Sequence, residues 1–320
     1  MLHRFKPIDN NDIILVTGAN GMVGSAIIRC LSQKNYKKIL KPTSSELDLR
    51  KQNDVESFLE RHKPNYIFNC AGKVGGINAN NNYKAEFLYD NLAIQTNLIH
   101  GAYKSNIKNL MNFGSSCIYP KECKQPMKEV YLLSGELEET NEGYAIAKIA
   151  GVKMCEKYNY QYNCNFMSVL PTNLYGPNDN YDLEDSHVLP ALIHKTYLAK
   201  KNNEKFLNLW GDGQARREFM HVDDLAEACI FLAEKAHSFE RVNIGVGKDI
   251  TINELALKIM KILGYKGEIQ YNSTMSNGTP QKLLDISILS SLGWKAKIEL
   301  KNGLKKVIQN FKNEISYNTL

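Results

Sequence analysis

Residues 14–27, "ILVTGANGMVGSAI", combine a short apolar run with three regularly spaced glycines. The apolar run predicts a buried strand, and the residues after Gly21 predict a helix. In such a strand–turn–helix unit, Gly18 permits the tight turn and Gly21 lets backbone N–H groups approach a pyrophosphate. Gly24 allows the helix to pack on the strand, and the positive end of the helix attracts phosphate charge. The stretch therefore predicts a dinucleotide-binding site near the amino end of the chain.

Apolar runs and helical periods alternate in the same way up to about residue 250. Strands are predicted at 13–17, 37–40, 65–70, 107–113, 164–170 and 241–244, and helices at 22–34, 52–62, 84–105, 143–161 and 223–236. Parallel strands need crossovers, so this order predicts an α/β fold with a Rossmann-type doubly wound parallel sheet.

After residue 178 the alternation loosens, and helices are predicted at 188–201, 252–263 and 301–313. We expect residues 1–178 plus 215–250 to form the dinucleotide-binding domain. Residues 179–214 plus 251–320 are expected to form a smaller, mainly C-terminal, substrate-binding domain. It would cover the carboxyl ends of the parallel strands, where such sheets bind their ligands.

Composition argues against several classes of partner. The 320 residues are 43% hydrophobic and 23% charged, as in ordinary globular proteins. The net charge of +6 is scattered, which favours a solvated surface over a nucleic-acid site but suits an anionic small substrate. Seven cysteines without a CxxC pair predict reduced thiols, no metal site and a cytoplasmic location. Residues 1–12 lack a signal peptide's apolar core, and no apolar run approaches the about 18–20 residues of a membrane span.

The end of the second predicted strand bears on the choice of cofactor. An acidic residue there would bind the ribose 2′-hydroxyl of NAD. This chain has Lys41 and then Pro42, followed by hydroxyl side chains at 43–45. A cation and hydroxyls suit a 2′-phosphate, so the sequence favours NADPH/NADP, while the nearby Glu46 keeps NAD open. Asp48 is expected either to contact adenine or to cap a helix.

A second motif, "YAIAK", places Tyr144 and Lys148 one turn apart on the same face of a predicted helix. A protonated lysine beside a phenol would favour the phenolate and lower its pKa from about 10 toward neutrality. Such a tyrosine could donate or accept the proton of an alcohol or carbonyl group. Ser115 follows the preceding strand and adds a hydroxyl at the same edge of the sheet. With the glycine loop, these residues form a set of three motifs that is more specific than any one of them alone.

The glycine loop, the strand-end serine and the YxxxK motif together resemble the extended short-chain dehydrogenase/reductases. More specific stretches resemble the GDP-L-fucose synthase family, whose members are GDP-4-keto-6-deoxymannose epimerase-reductases. They include "KVGGINANN", "GSSCIYPK", "PTNLYGPNDN", "REFMHVDDLA" and "GTPQKLLD", and the resemblance runs from about residue 13 to 312. It implies this fold, a nicotinamide cofactor and a GDP-linked 4-keto sugar as substrate. It also implies a homodimer, expected through helices 84–105 and 143–161.

The resemblance also implies a role for individual residues. Ser115, Tyr144 and Lys148 would form the catalytic triad. The cofactor would meet Gly18, Asn20, Gly21, Met22, Val23, Gly24, Lys41, Asp48, Leu49, Phe113, Gly114, Ser115, Ser116, Tyr144, Lys148, Pro171, Thr172, Asn173, Leu174 and His187. The substrate would meet Asn173, Val188, Lys195, Trp210, Arg217, Asn277 and Lys282.

Cys117 and His187 are paired by the resemblance as the base and acid of a C3/C5 epimerisation. A thiol is a suitable base because its pKa of about 8.5 falls near a cation. The alternative is that Cys117 only fills the turn while His187 packs on the nicotinamide.

The expected function is NADPH-dependent reduction of the C4 ketone of a GDP-4-keto-6-deoxy hexose or heptose, with C3/C5 epimerisation first. One alternative is a C4 reductase without epimerase activity, and another is a non-catalytic NADP-binding sensor. A 4,6-dehydratase is disfavoured because Ser116 and Cys117 stand where it needs an acidic pair. A 4-epimerase is disfavoured because it uses tightly held NAD, whereas the residues after the second predicted strand favour NADP.

Two departures from the family weaken the NADP prediction: Asn20 follows Ala19 where a basic residue is common, and Lys41 replaces an arginine.

Overall fold

The computed structural model describes residues 6–235, 239–274 and 278–317. In chain order the strands are β1 (Ile13–Thr17), β2 (Lys38–Leu40), β3 (Tyr66–Asn69), β4 (Asn109–Phe113), β5 (Asn165–Pro171), β6 (Asn173–Tyr175), β7 (Phe206–Trp210), β8 (Arg216–His221), β9 (Arg241–Ile244), β10 (Asp249–Thr251), β11 (Glu268–Asn272) and β12 (Gln281–Lys282). The helices are α1 (Met22–Gln33), α2 (Gln52–His62), α3 (Ile77–Asn82), α4 (Lys84–Lys104), α5 (Glu142–Tyr162), α6 (Val188–Lys201), α7 (Val222–Lys235), α8 (Ile252–Leu263), α9 (Ser287–Ser291) and α10 (Leu300–Tyr317).

Within the described residues, six strands form a parallel sheet in the order β2-β1-β3-β4-β5-β9. They are the six predicted strands, with ends displaced by no more than two residues. The predicted α/β doubly wound fold is therefore confirmed. The chain passes from β1 outward to β2 and then crosses to the other side of β1 to form β3. This reversal opens a crevice at the carboxyl ends of β1 and β3, where such sheets bind ligands.

Both faces of the large sheet are covered by helices, as its apolar strands require. Alternate residues of β1 point to opposite faces. Ile14 and Val16 pack with α1 and α7 in one apolar cluster, which includes Ile27 and Leu225. Leu15 packs in a second cluster with α2, α4 and α5. The strands are thus buried on both sides, and their carboxyl edge is where ligand-binding side chains can emerge.

A smaller mixed sheet lies around β8, which pairs in parallel with β6 and β12 and antiparallel with β10. Helices α6, α8 and α10 pack with β7 around an apolar cluster that includes Leu192, Leu209 and Leu255. The pairing of β8 with β12 makes Arg217 and Lys282 direct register partners. Two cations from distant parts of the sequence are thereby brought side by side.

The helix predictions hold within one residue at most ends, although α10 extends beyond the predicted 301–313. The last residue of the predicted helix 223–236 lies outside the described part of the chain. The short helices α3 and α9 were not predicted. The described residues include no helix with the length and apolar character of a membrane span.

Candidate active site

The glycine loop after β1 has the geometry of a phosphate-binding turn. Gly18 has a φ of +63°, and a β-carbon there would lie 2.9 Å from backbone atoms of Cys70 and Ala71. A β-carbon on Gly24 would overlap the Gly18 carbonyl group, so α1 can approach the turn only without a side chain here. Gly21 precedes α1 and supplies no side-chain cap, which leaves the first helical N–H groups for an anion. These features fit the pyrophosphate of a dinucleotide.

One continuous cleft begins at this loop and runs along the carboxyl ends of the strands to β7 and β12. Most predicted cofactor residues line it: Gly18, Gly21, Met22, Val23, Gly24, Phe113, Gly114, Ser115, Ser116, Tyr144, Lys148, Pro171, Thr172, Asn173, Leu174 and His187. Most predicted substrate residues do as well: Asn173, Val188, Lys195, Trp210, Arg217 and Lys282, and so does Cys117. The predicted substrate contact Asn277 lies outside the described residues.

Four predicted cofactor residues are not in the lining of this cleft: Asn20, Lys41, Asp48 and Leu49. Asn20 and Lys41 are exposed. Asp48 accepts a hydrogen bond of 3.0 Å from the Arg50 side chain. Leu49 is buried in the core beneath α2 and α4. A cofactor contact at Leu49 would therefore have to come from its backbone.

Tyr144 and Lys148 lie one turn apart on α5 and both line the cleft. The Lys148 Nζ atom is 5.8 Å from the centre of the Tyr144 ring and donates a hydrogen bond of 2.9 Å to the Phe113 carbonyl. The lysine is only 4% exposed, and burial lowers its pKa from 10.5 to about 8. Its ammonium group is thus held against the end of β4, and burial there deprives the charged group of favourable hydration free energy.

The prediction that Lys148 lowers the pKa of the Tyr144 phenol is wrong. The pKa of Tyr144 is raised, because burial and the neighbouring Cys117 outweigh a hydrogen bond with Ser115. The physical reason is the depth of the phenol in the cleft, while the hydrogen bond of Lys148 goes to the Phe113 carbonyl. A phenol that keeps its proton at neutral pH suits a proton donor.

Cys117 lies in the turn after Ser115 and close to two cations. Its N–H donates to the Ser115 hydroxyl at 3.1 Å, and the Lys282 Nζ atom is 3.5 Å from its sulfur. Burial raises the pKa of the thiol, but Lys282, a hydrogen bond with Ser115 and the Arg217 charge together outweigh burial and lower it. His187 precedes α6, and burial and the Lys282 charge lower its pKa. The proposed base and acid thus share one cleft and one neighbouring cation.

The far end of the cleft combines an aromatic ring with cations. The Lys195 Nζ atom lies 4.8 Å from the centre of the Trp210 ring, and burial lowers the pKa of this lysine. Trp210 ends β7 and is 39% exposed, so part of its ring remains accessible. Arg217 donates a hydrogen bond of 2.8 Å to the Arg216 carbonyl. A ring beside Lys195, in the same cleft as Arg217, can hold an aromatic base next to a diphosphate.

A chain of buried hydrogen bonds, which the sequence analysis missed, links the glycine loop to α5. Thr17 donates to Asn69 at 3.1 Å, Asn69 donates to Asn112 at 3.0 Å, and Asn112 donates to Gln95 at 3.3 Å. Gln95 then donates to the Ala147 carbonyl at 3.1 Å. We call these four side chains the polar chain. The available signal was an asparagine at or next to the carboxyl end of each of two buried strands, Asn69 in β3 and Asn112 in β4.

Comparison with known proteins agrees with this geometry. A model of the NAD dependent epimerase/dehydratase family matches residues 14–245. GDP-L-fucose synthase 1 of Arabidopsis thaliana is 50% identical over 298 residues, which cover 93% of this chain and 92% of the relative. GDP-L-fucose synthase of Escherichia coli K12 is 46% identical over 307 residues, covering 93% and 96%. The structure of a GDP-mannoheptose C4 reductase from Campylobacter jejuni with NADP bound matches with a TM-score of 0.87 and 38% identity, covering 95% of this chain and 99% of that one. This chain therefore belongs to the GDP-L-fucose synthase family, within the NAD dependent epimerases and dehydratases.

Proposed function

We propose that the chain is an NADPH-dependent enzyme that epimerises a GDP-4-keto-6-deoxy sugar at C3 and C5 and then reduces its C4 ketone. One observation carries the proposal: two chemically distinct sets of groups meet in the same cleft. Ser115, Tyr144 and Lys148 suit the reduction of a ketone, and Cys117 with His187 suits proton transfer beside that ketone. The identity of 50% and 46% to two GDP-L-fucose synthases supports this activity.

Reduction follows from the groups around the phenol. NADPH, when bound, supplies a hydride to C4. Tyr144 donates its proton to the C4 oxygen, because its raised pKa keeps the proton on the phenol until charge develops on that oxygen. Ser115 donates a hydrogen bond to the same oxygen. Lys148, anchored on the Phe113 carbonyl, holds the cofactor ribose and stabilises the phenolate that remains.

Epimerisation needs a base and an acid at the carbons beside the ketone, whose protons the carbonyl group acidifies. Cys117 takes the proton, since Lys282 and Arg217 favour its thiolate. His187 returns a proton to the carbon, and a lowered pKa makes its protonated form the stronger acid. The donors that bind the C4 oxygen during reduction also stabilise the enolate.

A C4 reductase without epimerase activity is the second candidate. The likeness to a Campylobacter jejuni GDP-mannoheptose C4 reductase supports it, with a TM-score of 0.87 and 38% identity. Cys117 would then be only a turn residue, and the substrate a related GDP-4-keto sugar such as a 6-deoxy-heptose. Side chains from residues 73–81 and 117–127 would decide between a six-carbon and a seven-carbon ring, and residues 74–78, Asn80 and Cys117 of these line the cleft. A non-catalytic NADP-binding sensor is a third candidate, disfavoured by the complete catalytic set.

The residues after β2 support NADPH rather than NADH. Lys41 is exposed directly after the strand, where it can meet a 2′-phosphate. The Glu46 carboxylate, which could instead bind a ribose hydroxyl of NAD, accepts hydrogen bonds of 2.7 and 2.9 Å from Thr43. These contacts hold the acidic group within its own turn.

The same proposal includes the domain arrangement and assembly. Residues 1–178 plus 215–250 would bind the cofactor, and residues 179–214 plus 251–320 would bind the GDP-sugar. Homodimerisation would use α4 and α5, where Tyr89 and Ile146 are 66% and 43% exposed. Sedimentation as a monomer at micromolar concentration would contradict it. The seven cysteines are free thiols, which supports a cytoplasmic location.

The deciding experiment is a reaction of GDP-4-keto-6-deoxymannose with NADPH in D₂O. NADPH absorbance would report reduction, and NMR of the product would locate deuterium. We expect deuterium at C3 or C5 in the wild-type product, and Cys117→Ser should abolish this label while sparing C4 reduction. Cys123→Ser, a half-buried thiol nearby in sequence, is the matched control. Reduction without label would leave the C4 reductase, and absence of NADPH oxidation would refute both catalytic candidates.

A further inference from the structure

Lys282 is held in place by contacts on both sides of its backbone. The Gln125 side chain donates a hydrogen bond of 3.1 Å to the Gln281 carbonyl and accepts one of 2.9 Å from the Leu283 N–H. On the other edge, β12 pairs with β8 and sets Lys282 beside Arg217. These contacts fix where the lysine side chain begins, so its position beside Cys117 is determined by the fold.

The ammonium group of Lys282 makes a specific contact with the Cys117 sulfur. The two atoms are 3.5 Å apart, and because an ammonium group can only donate, the sulfur must accept. A thiolate is a far better acceptor than a thiol, particularly from a charged donor. The backbone of Cys117 is held in the turn by the hydrogen bond from its N–H to the Ser115 hydroxyl. The geometry therefore favours the ionised form of this cysteine.

The other groups that face this sulfur do not supply the same effect. Arg217, from β8, adds positive charge, but the short contact is made by Lys282. Tyr144, from α5, is a neutral phenol. Burial and the charge of Lys282 disfavour the protonated form of His187, which lies at the start of α6. The cysteine is thus activated by a fixed cation rather than by transfer of its proton to the histidine.

We propose that Lys282 is a positioning residue that holds Cys117 as a thiolate, ready to remove a proton from the sugar ring before any histidine is protonated. The inference rests on the proposed function and deepens it, because it gives this lysine a part in epimerisation beyond contact with the GDP group. The thiol proton leaves to solvent, and the ring proton later takes its place on the sulfur. His187 takes up a proton from solvent, independently of the cysteine, and delivers it to the carbon in the return step.

The test is alkylation of the full-length protein by iodoacetamide without substrate, at several values between about pH 5 and pH 9, around the ordinary thiol range. Mass spectrometry of the peptide that carries Cys117 separates it from the other six cysteines. At pH 7, Lys282→Met should slow alkylation about 10-fold, because loss of a neighbouring opposite charge commonly changes the thiolate fraction by that much or more. Lys282→Arg should keep most of the wild-type rate.

Two control variants separate this role from others. Lys195→Met removes a lysine of the same cleft that lies over Trp210, and should leave Cys117 alkylation unchanged. His187→Gln should also alkylate at the wild-type rate, whereas slow alkylation in this variant would show a thiolate–imidazolium pair and overturn the proposal. Equal pH profiles for wild type and Lys282→Met would overturn it as well. Lys282→Gln provides the same comparison if the methionine variant does not fold.

The alkylation readout is independent of turnover, so the two hypotheses fail separately. Absence of deuterium at C3 and C5 would refute epimerisation while leaving the alkylation result intact. In D₂O at saturating substrate, Lys282→Met should lower deuterium incorporation more than C4 reduction. A lysine that only bound the nucleotide would raise the KM of both steps and leave their ratio unchanged.

Discussion

Replacing Lys148 with methionine should make the protein more stable at neutral pH while removing its activity. Lys148 is 4% exposed, and burial lowers its pKa from 10.5 to about 8. The folded protein therefore binds this proton more weakly than the unfolded chain does. Methionine has a similar length and no charge, so it can occupy the same space between α5 and β4.

The magnitude follows from the difference between the two pKa values. Below pH 8 the folded protein carries the full cost of the buried charge, about 3 kcal/mol at about 1.4 kcal/mol per pKa unit. Between pH 8 and 10.5 the unfolded chain binds more protons, so wild-type stability rises with pH across this window. The hydrogen bond to the Phe113 carbonyl, which the variant loses, is worth about 1 kcal/mol. We expect Lys148→Met to gain about 2 kcal/mol at pH 7 and to lose about 1 kcal/mol above pH 10.5.

Urea unfolding of both proteins at pH 7 and at about pH 10 measures this difference, and all other titrating groups are common to the pair. Lys153→Met on the same helix is the matched control, because Lys153 is 37% exposed and forms an ion pair of 2.8 Å with Glu156. It should give no gain in stability. If Lys148→Met is less stable than wild type at pH 7, or if the difference does not change with pH, the reasoning about the buried charge is refuted.

Three other substitutions test the site. Tyr144→Phe should lower turnover about 10²–10⁴-fold through loss of the general acid, with NADPH binding by fluorescence largely intact; normal turnover would reject the assignment. Lys41→Ala should narrow the preference in kcat/KM for NADPH over NADH, and an unchanged ratio would mean that Lys41 does not meet the phosphate. Asn112→Ala removes the buried partner of the Asn69 Nδ2 group and of the Gln95 Oε1 atom, so the free energy of unfolding should fall by about 2–5 kcal/mol. A loss of less than about 1 kcal/mol in urea unfolding would contradict that account.

The parts of the site that depend on local spacing could be predicted from the sequence. Apolar runs between glycine and polar turns located the strands of the large sheet, because strands buried on both faces admit few polar residues. The spacing of Tyr144 and Lys148 placed both on one face of α5, since residues four apart are neighbours on a helix. Both features arise from the regular geometry of a single element.

Properties that depend on contacts between distant segments could not be predicted. The pKa of Tyr144 is raised by its burial in the cleft, which no local pattern reveals. A lone lysine on a helix is normally solvent-facing, but Lys195 lies over Trp210 because β7 packs beside α6. The contact of Lys282 with Cys117 likewise depends on the pairing of β12 with β8, and a two-residue strand leaves almost no pattern in the sequence.

The polar chain explains why the glycine loop and helix α5, which carries Tyr144 and Lys148, keep a fixed distance from each other. Thr17 directly precedes Gly18 of the glycine loop, and the Ala147 carbonyl that accepts from Gln95 directly precedes Lys148. An apolar core would tolerate small shifts of α5, whereas each displaced hydrogen bond here leaves a buried amide unpaired. The network thereby favours one distance between the glycine loop, which is expected to bind the pyrophosphate, and Tyr144, the expected proton donor. Asn112→Ala should therefore lower turnover even at temperatures where the variant remains folded. Without Asn112, the polar chain no longer connects the glycine loop to α5, and each can shift without the other.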